Sequence, residues 1–130
     1  MEKLLKVFFA IAGIYDAALG LAFLFFPAVI FAHFGVMPPN HFAYVQFPAL
    51  LLIIFAWMFF RIAENPVKER NLIPFGVALK GSYCGIAFYY DIMGGIPRMW
   101  LPWAWADLVF LVLFGLAWKA TGKVVDAASA

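Results

Sequence analysis

Two carboxylates and one ammonium stand alone inside three separate apolar stretches: Asp16, Lys80 and Asp107. Asp16 lies ten residues past Lys6, Lys80 ten past Arg70, and Asp107 twelve before Lys119. At about 1.5 Å of helical rise per residue, each sits roughly 15–18 Å from the basic end of its helix. That is about half of a hydrocarbon core of about 30 Å, so all three are expected at one depth in a membrane. Charge is costly there, and such groups pair inside a bundle and mark functional positions by default. With all three ionised the set is net negative, and in a low dielectric that favours uptake of a proton by one carboxylate. A carboxyl that gains and loses a proton at mid-membrane is what a proton-coupled carrier needs. The plain alternative is a polar clasp that orders short helices, although interhelical polar contacts in membranes average only about 0.6 kcal/mol.

Helical spacing surrounds the set with small residues. Gly20 follows Asp16 by four, Gly76 and Cys84 flank Lys80 by four, and Ala104 precedes Asp107 by three. Each shares a helix face with its charged residue. Small residues let helices approach or leave room for a ligand, and close packing is the commoner use. Tyr15 and Tyr83 lie close enough in sequence to hydrogen-bond to the charged groups. The candidate ligand- or proton-binding set is therefore Asp16, Lys80, Asp107, Tyr15 and Tyr83, with no catalytic residue assigned.

Two weaker constellations lie elsewhere. His33, His41 and Asp91, with Asn40 and Gln46 nearby, have the donor types for zinc. Their spacing matches no motif, and interfacial or capping histidines are the plainer reading. Neither His sits deep enough in a span for bis-histidine haem ligation. Phe25, Phe26, Phe31, Phe34, Phe42, Tyr44 and Phe47 gather around one connection. With nearby Trp residues they would line an opening for a flat or greasy ligand, or simply anchor the chain at an interface. No nucleophile–base pair, Gly-rich phosphate loop or HExxH-type motif occurs, and no cofactor is implied. Cys84 is the single cysteine, which excludes an intrachain disulfide or a Cys-x-x-Cys redox pair. It reads as a small packing residue.

The elements that must position these residues are helices in a membrane. Of 130 residues, 67% are hydrophobic and only 12% charged, with mean hydropathy +0.96. A soluble domain is nearer half apolar and a quarter charged. One transmembrane domain is expected over 1–130, with spans at about 4–26, 42–60, 72–90 and 101–118, each close to the roughly 20 residues that cross as a helix. The fold expected is an all-α integral membrane four-helix bundle. The first stretch is longer than a signal-peptide core, contains Asp16 and has no convincing cleavage site, so it reads as a retained helix.

Seven basic residues fall on one side of a four-span arrangement: Lys3, Lys6, Arg61, Lys68, Arg70, Lys119 and Lys123. Arg98 alone falls on the other. This bias predicts both termini on the cytoplasmic side of the inner membrane. The net charge of +2 is small and dispersed, which speaks against nucleic-acid binding. Residues 28–34, apolar and closed by Gly35 and the Pro38-Pro39 pair, suit a short interfacial helix after the first span. Glu64-Asn65-Pro66 is a compact turn, and Asn71 is positioned to cap the third helix, with Pro74 in its first turn. Tyr89, Tyr90, Trp100, Trp103 and Trp105 suit an aromatic belt around the loop at 93–102.

The layout resembles small bacterial four-span membrane proteins of the broad DoxX-like kind. The resemblance is carried by Tyr15-Asp16-Ala17-Ala18-Leu19-Gly20 in a first span ending at Pro27, by a Lys in the third span, and by Ala104-Trp105-Ala106-Asp107-Leu108 in the fourth. It is one of organisation over most of the chain, and it carries over no catalytic residue. Some members look like membrane subunits of oxidoreductases. The leading expectation is a non-enzymatic protein that binds or moves a small ligand or proton. An accessory or assembly subunit of a larger membrane complex is the alternative, and a lipid- or quinone-modifying enzyme comes third. Expected partners are membrane lipid, a small hydrophobic ligand, and partner membrane subunits or further copies of the chain through Gly13-x-x-x-Ala17 or Gly81-x-x-x-Gly85.

Overall fold

A computed structural model describes all 130 residues, Met1–Ala130. The chain is all-helical, and four of its helices are long and apolar enough to cross a membrane, the make-up of a multi-pass membrane protein. Only 24 of 130 residues are buried, and large apolar side chains such as Ile14, Trp57, Phe75 and Val109 face outward. That outward surface suits lipid, where a helix need not hide its apolar side.

Helix α1 spans Glu2–Phe25. It stops because Pro27 disfavours helical geometry at the residue before it, and Phe26 turns to φ −129°, ψ 39°. Pro27 then opens α2, Pro27–His33, where its fixed φ and missing N–H cost nothing. A Schellman closure ends α2: the N–H of Val36 donates to the carbonyl of Phe31 (3.0 Å) and that of Gly35 to Ala32 (3.2 Å). Gly35 takes φ +64°, which suits a residue without Cβ.

Helix α3, Ala43–Glu64, starts with the Ala43 N–H donating to the His41 imidazole Nδ1 at 3.0 Å. It carries Pro48 inside its second turn, so the Tyr44 carbonyl has no N–H from that residue. After the Asn65-Pro66 turn, in which the Asn65 side chain accepts from the Lys68 N–H, the 3₁₀ turn Arg70–Leu72 leads into α4, Ile73–Met93. Asn71 therefore makes no cap, contrary to expectation: it lies inside the 3₁₀ turn, and Leu72 is the residue that precedes the helix. A second 3₁₀ turn, Arg98–Trp100, leads into α5, Leu101–Ser129, which continues well past Trp118 where the apolar stretch ends.

The helices form two tight pairs, α1 with α3 and α4 with α5. Gly20 sets the first pair close: a Cβ there would lie 2.7 Å from the Ala49 carbonyl oxygen. Arg70 ties the second pair to its connecting turn. Its guanidinium donates to the Trp118 carbonyl (3.0 Å) and the Thr121 hydroxyl (3.3 Å) and stacks 3.6 Å from the Trp118 ring. Between the pairs, backbones scarcely meet and large side chains fill the space. Toward the termini the centre is filled, leaving only a shallow outer groove between α3 and α4: Phe9, Phe59, Ile62, Ile73 and Phe114 are fully buried, with Phe9 and Phe114 stacked at 5.3 Å. Gly76 admits the Phe59 and Phe114 rings, which would lie 2.8 and 3.2 Å from an added Cβ. At the opposite end Phe23, Phe31, Ala49 and Met99 make a smaller core under α2.

Candidate functional site

The three ionisable residues, ten to twelve residues from the basic ends of their helices, meet where the two helix pairs face each other. Lys80 Nζ on α4 donates to Asp16 Oδ1 on α1 at 2.6 Å and to Asp107 Oδ1 on α5 at 3.0 Å. The Lys80 side chain is fully buried, that of Asp16 is 1% exposed and that of Asp107 10%. A buried charge survives only with partners, and here one ammonium serves two carboxylates from different helices. Its third N–H has no oxygen acceptor. The rings of Phe110, Tyr15 and Phe59 also surround Nζ, with centroids at 5.0, 5.1 and 5.7 Å, within cation–π range.

On the far side of the carboxylates a partly open cavity of about 470 Å³ lies between the pairs. Its floor is Asp16 and Asp107, and its walls include Leu19 and Phe23 of α1, Val45, Pro48 and Leu52 of α3, and Leu79 and Tyr83 of α4. Trp100 and Trp103 close it above Asp107, and Tyr44, 68% exposed, stands at its rim. Lys80 and Tyr15 do not line it. They sit behind the carboxylates, of which Asp107 alone keeps some exposure, while Asp16 is as sealed as Lys80.

Polar bonding is incomplete around this floor. Asp16 Oδ2, the Tyr15 hydroxyl and the Trp103 indole nitrogen are buried without a hydrogen-bond partner. Unpaired buried polar atoms are rare in native proteins and call for an explanation. Neither tyrosine hydroxyl bonds the charged set, contrary to expectation. Tyr83 donates instead to the Trp100 carbonyl at 2.7 Å, because the 3₁₀ turn before α5 brings that carbonyl within reach. Tyr15 offers Lys80 its ring face rather than its oxygen.

The remaining candidates separate. No group of three His, Cys, Asp or Glu residues is placed to hold a metal ion, so His33, His41 and Asp91 do not assemble. His41 is used as a backbone acceptor at the start of α3, and Gln46 donates to the Leu24 carbonyl. Of the aromatic group around α2, only Tyr44 lines the cavity. Phe31 is buried against Phe42 and Trp100, whereas Phe25, Phe26, Phe34 and Phe47 are exposed. Gly13 faces the Phe60 ring of its own chain, while Gly85 faces open space.

Leu19, Phe23, Leu52 and Leu79 were not singled out on the sequence, because an apolar residue facing a cavity is spelled like one facing lipid. One signal was present. Two carboxylates offer four oxygens and one ammonium offers three N–H groups, so at least one oxygen had to remain free of Lys80. Comparison with known proteins adds no relative: no family profile, curated protein or solved structure matches the chain.

Proposed function

We propose that this is a small four-span membrane protein, not itself an enzyme, that binds or moves a small ligand or proton through the cavity between its helix pairs. Asp16, Lys80 and Asp107 are its polar core. The observation that carries this reading is the floor of two carboxylates, one with a free buried oxygen, under an otherwise apolar cavity of about 470 Å³. That volume lies within the roughly 300–1,000 Å³ of ordinary ligand sites. A mere clasp would need neither the cavity nor the spare oxygen. The Lys and Arg distribution supports both termini on the cytoplasmic side of a bacterial inner membrane, with α2 lying at the opposite interface. The resemblance to DoxX-like proteins supports the same span layout and says nothing of the ligand. An accessory-subunit role draws on the exposed aromatic surface, which lipid covers equally well.

Native mass spectrometry from native-lipid nanodiscs tests the proposal. The wild-type chain is expected to carry a discrete small molecule that is absent from Leu79→Trp, a variant that places a large ring at the α4 wall of the cavity without altering a charged residue. Identical spectra for the two chains would defeat the reading. A larger protein that co-purifies with both chains in fixed proportion would replace it with the accessory-subunit role.

A further inference from the structure

We infer that the cavity is a cation site, made for an ammonium carried on a compact apolar or aromatic body. This rests on the ligand-binding reading above and names the chemistry of its ligand. With both carboxylates ionised the floor is short of one positive charge and of N–H donors, a deficit that a proton fills while the cavity is empty and an ammonium fills in its place. Lys80 gives two hydrogen bonds to four carboxylate oxygens, leaving Asp16 Oδ2 buried and unpartnered and the Asp107 side chain 10% exposed. Asp16 and Asp107 are the only charged residues lining the cavity; Lys80 and Asp16 are both sealed, and Asp107 is the one a guest reaches. An anion would add to the excess negative charge, and a neutral guest would leave it unchanged. An ammonium supplies both what is missing: charge, and an N–H for the Asp107 carboxylate, which Lys80 bonds through Oδ1 and which keeps some exposure, the stronger kind of hydrogen bond.

The walls fit the same guest. Eleven of the fourteen lining residues are hydrophobic, which suits an organic body and offers a bare metal ion few oxygen ligands. Phe23, Tyr44, Trp100 and Trp103 give aromatic faces, the usual companions of carboxylates around an organic cation. The chain already uses this combination once. Lys80 itself lies between the two carboxylates and the rings of Tyr15, Phe59 and Phe110 at 5.0–5.7 Å. A guest ammonium would mirror it across the carboxylate pair.

The test titrates nanodisc-embedded protein with three probes of one shape: 4-phenylbutylammonium, 4-phenylbutanol and 4-phenylbutyrate. Calorimetry is read against empty nanodiscs. The ammonium is expected to bind about tenfold or more tighter than the alcohol, the size of one charge-assisted hydrogen bond, and the carboxylate not at all. Asp107→Asn, which leaves the shorter Lys80–Asp16 bond in place, should bring the ammonium down to the level of the alcohol. Leu79→Trp should remove both. The three-probe ranking on the wild-type chain holds whether or not Asp107→Asn folds. Cavity-dependent binding of the alcohol or carboxylate as tight as the ammonium would overturn the cation site and leave a ligand-binding protein. Absence of Leu79→Trp-sensitive binding for every probe would also overturn it, and the native mass spectrum then decides separately whether the cavity holds anything. A lipid headgroup can supply the same ammonium. Weaker probe binding in phosphatidylethanolamine than in phosphatidylcholine nanodiscs, which carry the same net charge but no N–H, identifies a lipid guest, and equal binding a free amine.

Discussion

The half of the molecule toward the termini and the half beyond Lys80 are built from the same four helices, but they fill the space between the helix pairs differently. In the first, Phe9, Phe59 and Phe114 fill its centre, and Gly76 makes room for the Phe59 and Phe114 rings. In the second, rings and leucines line the space without filling it, and the cavity remains. The three charged residues stand at the boundary. Lys80 has the rings of Phe59 and Phe110, which belong to the closed half, against its ammonium, and its carboxylate partners line the open one. A buried charge cluster can thus be structural on one side and available on the other.

Five substitutions test how far the halves differ. The largest effect is expected at the boundary. Lys80→Met leaves two buried carboxylates uncompensated, and removing one partner of a buried pair costs about 3–5 kcal/mol. Thermal unfolding in nanodiscs should show the steepest fall for this variant, and a fall no larger than those below would mean the cluster is loosely held. Next comes the closed half. Phe114→Ala opens a void where packing is complete and should cost about 3 kcal/mol, the lower end for a core Phe, because within lipid the helices are held by packing rather than by exclusion of water. Phe23→Ala, at the edge of an existing cavity, should cost less than half as much. Equal losses would erase the distinction between the halves. Gly20→Ala drives a Cβ to 2.7 Å from the Ala49 carbonyl, and overpacking of this kind costs about 1–3 kcal/mol. The smallest effect belongs to Gly85→Ala, which meets nothing within 4 Å. It should raise stability by about 0.5–1 kcal/mol through helix propensity alone. A marked loss there, read by the same unfolding assay together with a shift in oligomer mass, would reveal a second copy packed against that face.

Much of the helical layout was legible in the sequence because apolar stretches near 20 residues long, broken by Pro, Gly and Asn, leave few alternatives. Counting from basic ends brought Asp16, Lys80 and Asp107 to one level, and in the structure they touch. What could not be read depends on rotation and on short connections. Whether Leu79 faces lipid or a cavity is a matter of helix rotation, which a nearly uniform apolar sequence does not encode. The Tyr83 hydroxyl goes to the Trp100 carbonyl because of a three-residue 3₁₀ turn, and Asn71 loses its capping role to another. Such turns depend on packing more than on local composition. The continuation of α5 to Ser129 escaped the hydropathy reading because its last turns are polar yet helical.

Pro48 has a further consequence. With no N–H for the Tyr44 carbonyl, the opening turn of α3 is joined to the rest of the helix by one rung fewer, and that turn carries Tyr44 at the cavity rim. The mouth of the cavity is therefore hung on a hinge of lower stiffness than its floor, where three helices are cross-linked through Lys80. A chamber built this way can widen to admit a guest without disturbing the charges beneath it.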